Sequence, residues 1–243
     1  MEAPFNYQQF QQSVKIDQDM ILDHLIEKYL ANFGNNRQNL TRKNFAMILE
    51  GTFRVSAKVG FSNMSVRDLV KESPISIGRL YHYVDSKETL EDMIVEGLVF
   101  IGSAGNRLLD REYIPVETRI QMAVKGGVYY GEMFKPWYYF VFTELNSLSN
   151  ENMKRARELQ ITYLERLASL LGNNFQLASD IAVIMQDWYL KKWKYQGVSV
   201  DKFAEHCMNV TNILRQNLDT LNDGSVYGEQ GPDVDAMRKS LGI

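Results

Sequence analysis

The sequence predicts an all-α fold, and three observations lead to that prediction. Apolar residues recur at helical spacing along nearly the whole chain, whereas the alternation of apolar and polar residues that marks a half-buried strand is absent. Only five prolines occur in 243 residues, at expected helix boundaries or in the terminal segments. With 45% hydrophobic residues the chain can bury a substantial core.

The first 40 residues form a predicted N-terminal extension with an extra helix. Apolar residues at helical spacing place that helix at residues 17–33, and Gly34-Asn35-Asn36 ends it because glycine tolerates the left-handed conformation that closes a helix. We expect the extra helix to pack on the larger helical part of the chain or on a partner subunit.

A cluster of shorter helices follows the extension. A helix is predicted at 42–59 and is closed by Gly60, and two short helices follow at 65–72 and 77–84. A long helix begins after the capping residue Ser86 and runs over 87–111, with Gly102 and Gly105 expected to kink or divide it. Further helices are predicted at 116–133, 136–148, 151–171, 177–195 and 201–221. From residue 222 the chain is polar and glycine-rich, so residues 222–243 are predicted to be a flexible tail.

Charge is distributed unevenly along the chain. The formal net charge is −3, yet residues 41–87 carry eight basic and four acidic side chains, which leaves −7 for the remainder. A basic module on an acidic body permits contact with phosphate groups at one end only. Such a local excess is also common on solvated helices, so charge permits nucleic-acid binding without requiring it.

Cysteine content and the chain ends predict a soluble cytoplasmic protein. The single cysteine, Cys207, allows no intrachain disulfide, and the polar N-terminal residues do not form a signal peptide. The longest apolar run, near residues 98–101, is far too short to span a bilayer. We therefore expect no membrane association.

The residues between Gly60 and Leu90 predict a pair of short helices that can read DNA. Val66, Leu69 and Val70 give the first helix an apolar stripe, and Ile75 and Leu80 fill the angle between the two helices. The second helix can then present its other face to the major groove. The residues suited to base contact are Gly78, which lets the backbone approach closely, and Arg79, which can pair with guanine; those suited to phosphates are Ser65, Tyr81, Tyr83 and Lys87.

At these residues the chain resembles the TetR family of transcriptional regulators. The similarity covers residues 42–95 and is carried by Gly60-Phe61, Ser65-Val66, Asp68-Leu69, Ile75-Ser76, Gly78, Leu80-Tyr81, Tyr83, Ser86-Lys87-Glu88 and Leu90. The resemblance implies that Arg67 reaches a base or phosphate, that Ser76, Arg79 and His82 occupy recognition positions, and that Tyr81 and Lys87 bind phosphates. It also implies a larger C-terminal domain that binds a small molecule and forms a homodimer.

The sequence departs from the family pattern at the turn between the two short helices. The turn glycine of the family is Pro74 here, and proline cannot adopt a positive φ, so the turn must close differently, with Ser73 outside the helix. Val84 also replaces a frequent aromatic residue. These differences affect the angle at which the second helix is held.

An aromatic segment in the second half of the chain is the predicted effector site. Eight aromatic residues occur within residues 129–142, and aromatic walls suit an apolar or amphipathic ligand. Ordinary core packing is the alternative for each residue. The candidate ligand-binding residues are Tyr130, Phe134, Trp137, Tyr138, Phe142, Tyr163, Trp188 and Tyr189.

The last two predicted helices carry apolar stripes that favour a dimer interface. Paired with the same helices of a second subunit they would form a four-helix bundle, although packing within one chain remains an alternative. The candidate interface residues are Ile181, Met185, Phe203, Val210, Leu214 and Leu218. A dimer would place two recognition helices about 34 Å apart, one turn of DNA.

No pattern predicts catalysis, a metal or a cofactor. His24, His82 and His206 lack the spacing of metal ligands, and the glycines near residue 127 follow no strand, so they do not form a phosphate-binding loop. We therefore expect no enzymatic activity.

The sequence thus predicts a DNA-binding domain at 41–90 and an effector-binding and dimerisation domain at 91–221. The function expected is that of a homodimeric repressor, released from a pseudo-palindromic operator in double-stranded DNA when a small apolar or amphipathic effector binds. One alternative is a DNA-bound protein that recruits a protein partner and has no effector. Another is a helical binding module with a degenerate DNA-binding head.

Overall fold

A computed structural model of the chain describes residues 6–29, 38–217 and 233–243. The described residues contain helices and no strand, which confirms the all-α prediction. The α-helices are α1 (Tyr7–Ser13), α2 (Gln18–Tyr29), α3 (Gln38–Val59), α4 (Val66–Glu72), α5 (Ile77–Tyr83), α6 (Lys87–Leu109), α7 (Val116–Met133), α8 (Lys135–Glu144), α9 (Asn150–Leu170), α10 (Phe175–Leu190), α11 (Val200–Gln216) and α12 (Val234–Leu241). Short 3₁₀ turns lie at Leu145–Ser147 and Lys192–Tyr195. Nowhere in the described ranges is a helix both long and apolar enough to cross a membrane.

The chain divides into two compact units. The head unit comprises Ile16–Ile101 and Pro136–Ala156, and the body unit comprises Met1–Lys15, Gly102–Lys135 and Arg157–Ile243. The head unit therefore contains, besides the predicted DNA-binding segment 41–90, helix α2, the first part of α6, most of α8 and the start of α9.

Helix α2 packs within the head unit. Its apolar side chains Ile21, Leu22 and Leu25 are buried, and it contacts α3, to which Asp23 is tied by a salt bridge with Arg42. This differs from our expectation that the extra helix packs on the larger helical part or on a partner subunit. The predicted end of that helix at Gly34-Asn35-Asn36 lies outside the described residues.

A buried carboxylate joins α2, α6 and α9 inside the head unit. Glu96 lies 2.8 Å from His24 Nε2 and 2.6 Å from Lys28 Nζ, and it also accepts a hydrogen bond from Arg155. Burial alone would raise the pKa of Glu96, but hydrogen bonds with Lys28 and His24 and the nearby positive charges outweigh it and lower that pKa. The ring of His24 also stacks on Phe100, with 4.4 Å between centroids.

The body unit is built around α7. Helices α10, α11 and α1 pack against it, and nearly all of its residues between positions 123 and 131 are buried. Helix α7 begins immediately after Pro115, a position at which proline costs no helical hydrogen bond. Helix α1 was not predicted from the sequence, because its apolar pattern consists mainly of one buried residue, Phe10.

The C-terminal residues contain a helix that the sequence analysis missed. We predicted a flexible tail at 222–243, but Val234–Leu241 form α12, and Arg238 pairs with both Glu158 and Glu165 on α9. The prediction of a tail without structure is therefore wrong for α12. The residues 218–232 that precede it lie outside the described residues.

The glycines inside α6 do not divide that helix, which was one of the two expected outcomes; a kink there stays a prediction. Helix α6 is continuous over Lys87–Leu109. Gly102 makes room for Leu159, since a Cβ there would lie 2.6 Å from Leu159 Cδ1, and a Cβ at Gly105 would lie 3.3 Å from Tyr130 Cε2. Both glycines are therefore packing positions. The division between the two units nevertheless falls within this helix, at Gly102.

Candidate DNA interface

The turn between α4 and α5 closes without a residue of positive φ. Ser73 leaves the helix with φ −114° and ψ 140°, as predicted for a residue before proline, and its hydroxyl donates to Leu69 O at 2.7 Å. The amide of Ile75 then donates to Ser73 O at 2.8 Å across Pro74. The replacement of the usual turn glycine by Pro74 is therefore accommodated, and α5 still starts four residues after Ser73.

Close packing fixes the position of α4 against α3. A Cβ on Gly51 would lie 2.9 Å from Leu69 Cδ1 and 3.0 Å from Ser73 Cβ. At its other end α4 begins with a capping box, in which the Ser65 hydroxyl accepts from the Asp68 amide and the Asp68 carboxylate accepts from the Ser65 amide. The helix pair thus has a defined geometry at both ends of α4.

Helix α5 buries one side and exposes the other. Leu80 and Tyr83 point into the head unit, and at 100° per residue Gly78 lies opposite them, at the middle of the outward face. Tyr81 and His82 flank Gly78, and Ile77 and Arg79 lie at the two edges, all of them exposed. A Cβ on Gly78 would meet no other part of the described protein within 4 Å, its own helix backbone aside. The outward face is therefore a shallow notch bordered by longer side chains.

Two predicted phosphate contacts have structural roles. Tyr83 is only 7% exposed, and its hydroxyl accepts a hydrogen bond from Asn44 Nδ2 at 3.0 Å. The ammonium of Lys87 donates to Ser62 O at 2.8 Å and lies 4.8 Å from the centroid of the Phe61 ring. These contacts place Tyr83 in the core, which corrects its expected role as a phosphate contact. Lys87 holds the turn before α4, and its phosphate contact stays a prediction.

The predicted serine contacts also serve as helix caps. Ser65 caps α4, and the Ser76 hydroxyl accepts from the Arg79 amide at 3.4 Å. Both serines are exposed. The Ser76 hydroxyl can still donate to a phosphate oxygen, whereas the Ser65 hydroxyl donates to Asp68 Oδ2 at 2.5 Å.

The basic residues of the head divide into two classes. On α3, Arg42 and Lys58 pair with Asp23 and Glu72, and Arg54 donates to Glu72 O. By contrast, Arg67 on α4 and Arg79 on α5 are exposed and form no ion pair with any residue that the structure describes. The exposed arginines available to an external anion therefore lie on α4 and α5, and on α3 Lys43 is exposed as well.

The candidate effector residues fall in both units, so each set is described within its own unit. In the head unit Trp137 is buried against Phe53, with ring centroids 5.1 Å apart, and against Gly97. Tyr138 stacks on Phe142 with 6.4 Å between centroids, and both are half-buried.

The body-unit candidates are packed against one another and against glycines. Tyr130 stacks on Phe134 at 5.8 Å, and Tyr189 occupies the space that a Cβ on Gly131 would need. Tyr163 donates to Ala123 O at 3.2 Å, and the fully buried Trp188 donates to Glu132 at 2.7 Å. These contacts are those of a packed core, the alternative that the sequence left open for each residue.

A cleft of about 500 Å³ lies elsewhere in the body unit. Its lining residues come from the ends of α9 and α11 and include none of the predicted effector residues: Leu170, Leu171, Gly172, Asn212, Arg215 and Gln216. Nothing in the spacing of these residues indicated a cleft. The only local signal was Gly172, whose positive φ marks the turn after α9.

The candidate interface residues are divided by burial. Ile181, Met185 and Phe203 are buried within this chain, so they contribute to its own core rather than to a surface that a second subunit could cover. Val210 and Leu214 are partly exposed, and Leu218 lies outside the described residues. On the same two helices, Val183 and Ile213 are 63% and 58% exposed, so α10 and α11 each leave an apolar side chain at the surface.

One family model matches the segment that contains the helix pair α4 and α5. The family model for bacterial regulatory proteins of the tetR family matches residues 48–92, which run from the middle of α3 to the start of α6. No curated protein matches the chain.

Three solved structures are similar to between 68% and 70% of this chain. The TetR family transcriptional regulator PfmR from Thermus thermophilus is 18% identical, with a TM-score of 0.56 over 70% of this chain and 97% of that one. A TetR-family transcriptional regulator from Bordetella parapertussis is 25% identical, with a TM-score of 0.58 over 68% of this chain and 92% of that one. The superantigen pfit is 18% identical, with a TM-score of 0.52 over 68% of this chain and 86% of that one. The two likenesses at 18% identity concern the fold alone.

Proposed function

We propose that the chain is a ligand-responsive repressor of the TetR family of bacterial regulatory proteins, and that it reads DNA through the outward face of α5. The exposed notch at Gly78, bordered by Tyr81, His82 and Arg79, is the observation that carries this proposal. A helix with a small residue at the centre of its outward face can lie deep in the major groove, and Arg79 can then pair with guanine O6 and N7.

The division of charge supports the same assignment. The side chains of Arg67 and Arg79 form no ion pair with a described residue, so binding DNA does not require them to leave a protein partner. Phosphate binding releases counterions, so affinity should fall steeply as salt rises. Ser76 and Tyr81, at the start of α5 and on its outward face, are exposed and can fix register through phosphates.

Fluorescence anisotropy on DNA from the gene's own upstream region tests the proposal. Titrations at several salt concentrations, with random DNA as competitor, should give sequence-preferring binding that is on the order of 10³-fold or more tighter than non-specific binding. Absence of DNA binding even at low salt would contradict a DNA-reading head and would favour the degenerate-head alternative.

We further propose that the protein acts as a homodimer through α10 and α11. The supporting observation is the apolar surface of Val183, Val210, Ile213 and Leu214, which the chain itself leaves partly or largely exposed. Ile213→Asp should convert a dimer into a monomer in light scattering, because a carboxylate would be desolvated at the interface. If Ile213→Asp is still a dimer, this surface is not the dimer interface.

The proposed effector response has one specific rival. The packing of Trp188, Tyr189 and Trp137 against the chain's own residues favours a regulator that has no small-molecule effector and recruits a protein partner instead. An effector can release the repressor only if it binds the DNA-incompetent state more tightly than the DNA-competent one. A ligand that binds the isolated protein and weakens its DNA affinity would exclude the rival.

A further inference from the structure

The N-terminal helix α1 places one aromatic side chain on the surface of α7. Phe10 is 5% exposed, its ring lies 5.2 Å from that of Tyr129, and it meets the Tyr130 ring edge-on at 5.3 Å. Gly126 forms the floor of this seat, since a Cβ there would lie 3.4 Å from Phe10 Cε2. We call the surface formed by Gly126, Tyr129 and Tyr130 the Phe10 seat.

Helix α1 is held to the body unit by few contacts. It has seven residues, and Phe10 is its only buried side chain. Besides Phe10, its contacts include a hydrogen bond from the Tyr7 amide to Asp201 Oδ1 at 2.7 Å and the Tyr7 ring, 5.6 Å from that of Tyr129. A helix of this length is not stable in isolation, so α1 can leave the seat at a small free-energy cost. The seat itself would persist, because α7 is also packed against α10 and α11.

The contacts of α1 define the chemistry that the seat accepts. An aromatic ring packs on Tyr129 and Tyr130, and an N–H donor points at the Asp201 carboxylate. Asp201 also accepts from the Tyr129 hydroxyl at 2.8 Å, and burial together with that carboxylate raises the pKa of Tyr129, so its hydroxyl remains a donor. Among the described residues Asp201 has no ion-pair partner, whereas the nearby Glu205 is paired with Lys125.

We propose that the Phe10 seat is a binding site for an aromatic amine, and that α1 is a built-in competitor for it. The ring of the ligand would replace that of Phe10, and its ammonium group would replace the Tyr7 amide at Asp201 and form an ion pair that Asp201 lacks among the described residues. This inference rests on the proposed effector response and specifies its site and ligand class. Occupation of the seat would release α1. Residues 14–17 connect α1 to α2 of the head unit.

Calorimetric titration of the full-length protein with phenethylamine tests the site directly. Phe10→Ala removes the competing ring and should tighten phenethylamine binding by about tenfold, because the open seat becomes the major state. Gln11→Ala, an exposed position on the same helix, is the matched control and should bind as the wild type does. Equal affinities of wild type and Phe10→Ala, or no binding to either, would overturn the proposal.

Two further variants separate the site from a general effect on folding. Tyr7→Pro removes the amide donor at the first position of α1, where proline is compatible with a helix, and should also tighten binding. Asp201→Asn should abolish the preference for phenethylamine over phenylacetate, and a wild type that binds both equally would contradict the role of Asp201. None of these titrations involves DNA, so their failure would leave the DNA-reading function of α5 untouched.

Discussion

Gly78 on α5 and Gly131 on α7 are both helical glycines, but their surroundings are opposite. A Cβ on Gly78 would have no neighbour within 4 Å outside its own helix backbone, as far as the structure describes the chain, whereas a Cβ on Gly131 would lie 2.7 Å from Tyr189 Cδ1. Gly131 makes room for one of the body unit's own aromatic rings. Gly78 in the head unit is open, at the centre of a face bordered by exposed side chains. A glycine in a helix therefore serves internal packing at one position and leaves the helix surface open at the other.

Charged groups within the head unit also divide into enclosed and open ones. Glu96 is enclosed by Lys28, His24 and Arg155, while Arg79 is exposed and has no ion-pair partner among the described residues. Substitutions at enclosed groups should therefore change stability, and substitutions at open ones should change DNA binding.

The largest stability effect is expected at Glu96. Glu96→Gln should lower the free energy of unfolding at pH 7 by about 2–3 kcal/mol, because three partners lose a largely buried carboxylate. The folded-state pKa of Glu96 is lowered, so its contribution is present above the ordinary value of 4.5 and is lost as pH falls through the lower folded value. Urea unfolding from pH 3 to pH 7 should show the difference between wild type and variant shrinking with acid.

Glu50→Gln is the matched control for that series. Glu50 is exposed and lies 3.9 Å from Arg54, so the change should be within about 0.5 kcal/mol. A pH-independent difference between Glu96→Gln and wild type would show that Glu96 does not act through its charge.

Gly131→Ala should lower the free energy of unfolding by about 1–3 kcal/mol, because the new methyl group forces the Tyr189 ring out of position. The higher helix propensity of alanine acts the other way, by about 1 kcal/mol. A net loss of stability would therefore show that the clash with Tyr189 outweighs it. Thermal unfolding of Gly131→Ala, Tyr189→Ala and the double variant gives the coupling between them. Additive effects would mean that the two residues do not share this space.

Gly78→Ala should raise stability, in contrast to Gly131→Ala, and should weaken DNA binding. Stability should rise by up to about 1 kcal/mol, because alanine favours the helix and meets no neighbour. Operator affinity should fall by about as much as one mismatched base pair costs, about 1–3 kcal/mol, because the backbone is held away from the groove. Unfolding and anisotropy measured on the same preparation make the comparison. Unchanged affinity would mean that this face does not approach DNA closely.

The smallest expected effect concerns Ile77, which is 50% exposed at the edge of the same face. An apolar side chain there can contact the methyl group of a thymine. Replacing that thymine by uracil should cost about 0.8 kcal/mol in wild type and nothing in Ile77→Ala. Val59→Ala, exposed at the end of α3, should respond to uracil as the wild type does. If Ile77→Ala and Val59→Ala lose the same affinity on replacement of thymine by uracil, Ile77 does not contact that base.

The sequence predicted most of the fold because helix boundaries depend on local signals. The predicted range 116–133 matches α7, since Pro115 precedes it and the apolar pattern ends at Met133. Helices α1 and α12 were missed because each is short and contributes little apolar surface. What holds them, Tyr129 for α1 and Glu158 for α12, is far away in the sequence.

The candidate site was predicted only in outline for a related reason. Spacing indicated that α5 has an outward face, but it could not tell that Tyr83 points inward to Asn44 while Tyr81 stays exposed. In the body, the aromatic residues looked like the wall of a cavity because their partners, such as Gly131 for Tyr189, lie elsewhere along the chain. Whether a ring lines a cavity or fills one depends on contacts that spacing does not record.

The most direct test of the central claim is a base-pair scan of the operator with Arg79→Ala and Arg54→Ala, read by anisotropy. Arg54 is the matched control, because its guanidinium donates to Glu72 O within the head unit. The account predicts that Arg79→Ala loses about 1–3 kcal/mol of discrimination at one base pair of each half-site, while Arg54→Ala keeps the wild-type pattern. An Arg79→Ala protein with unchanged sequence preference would contradict the claim that the outward face of α5 reads DNA.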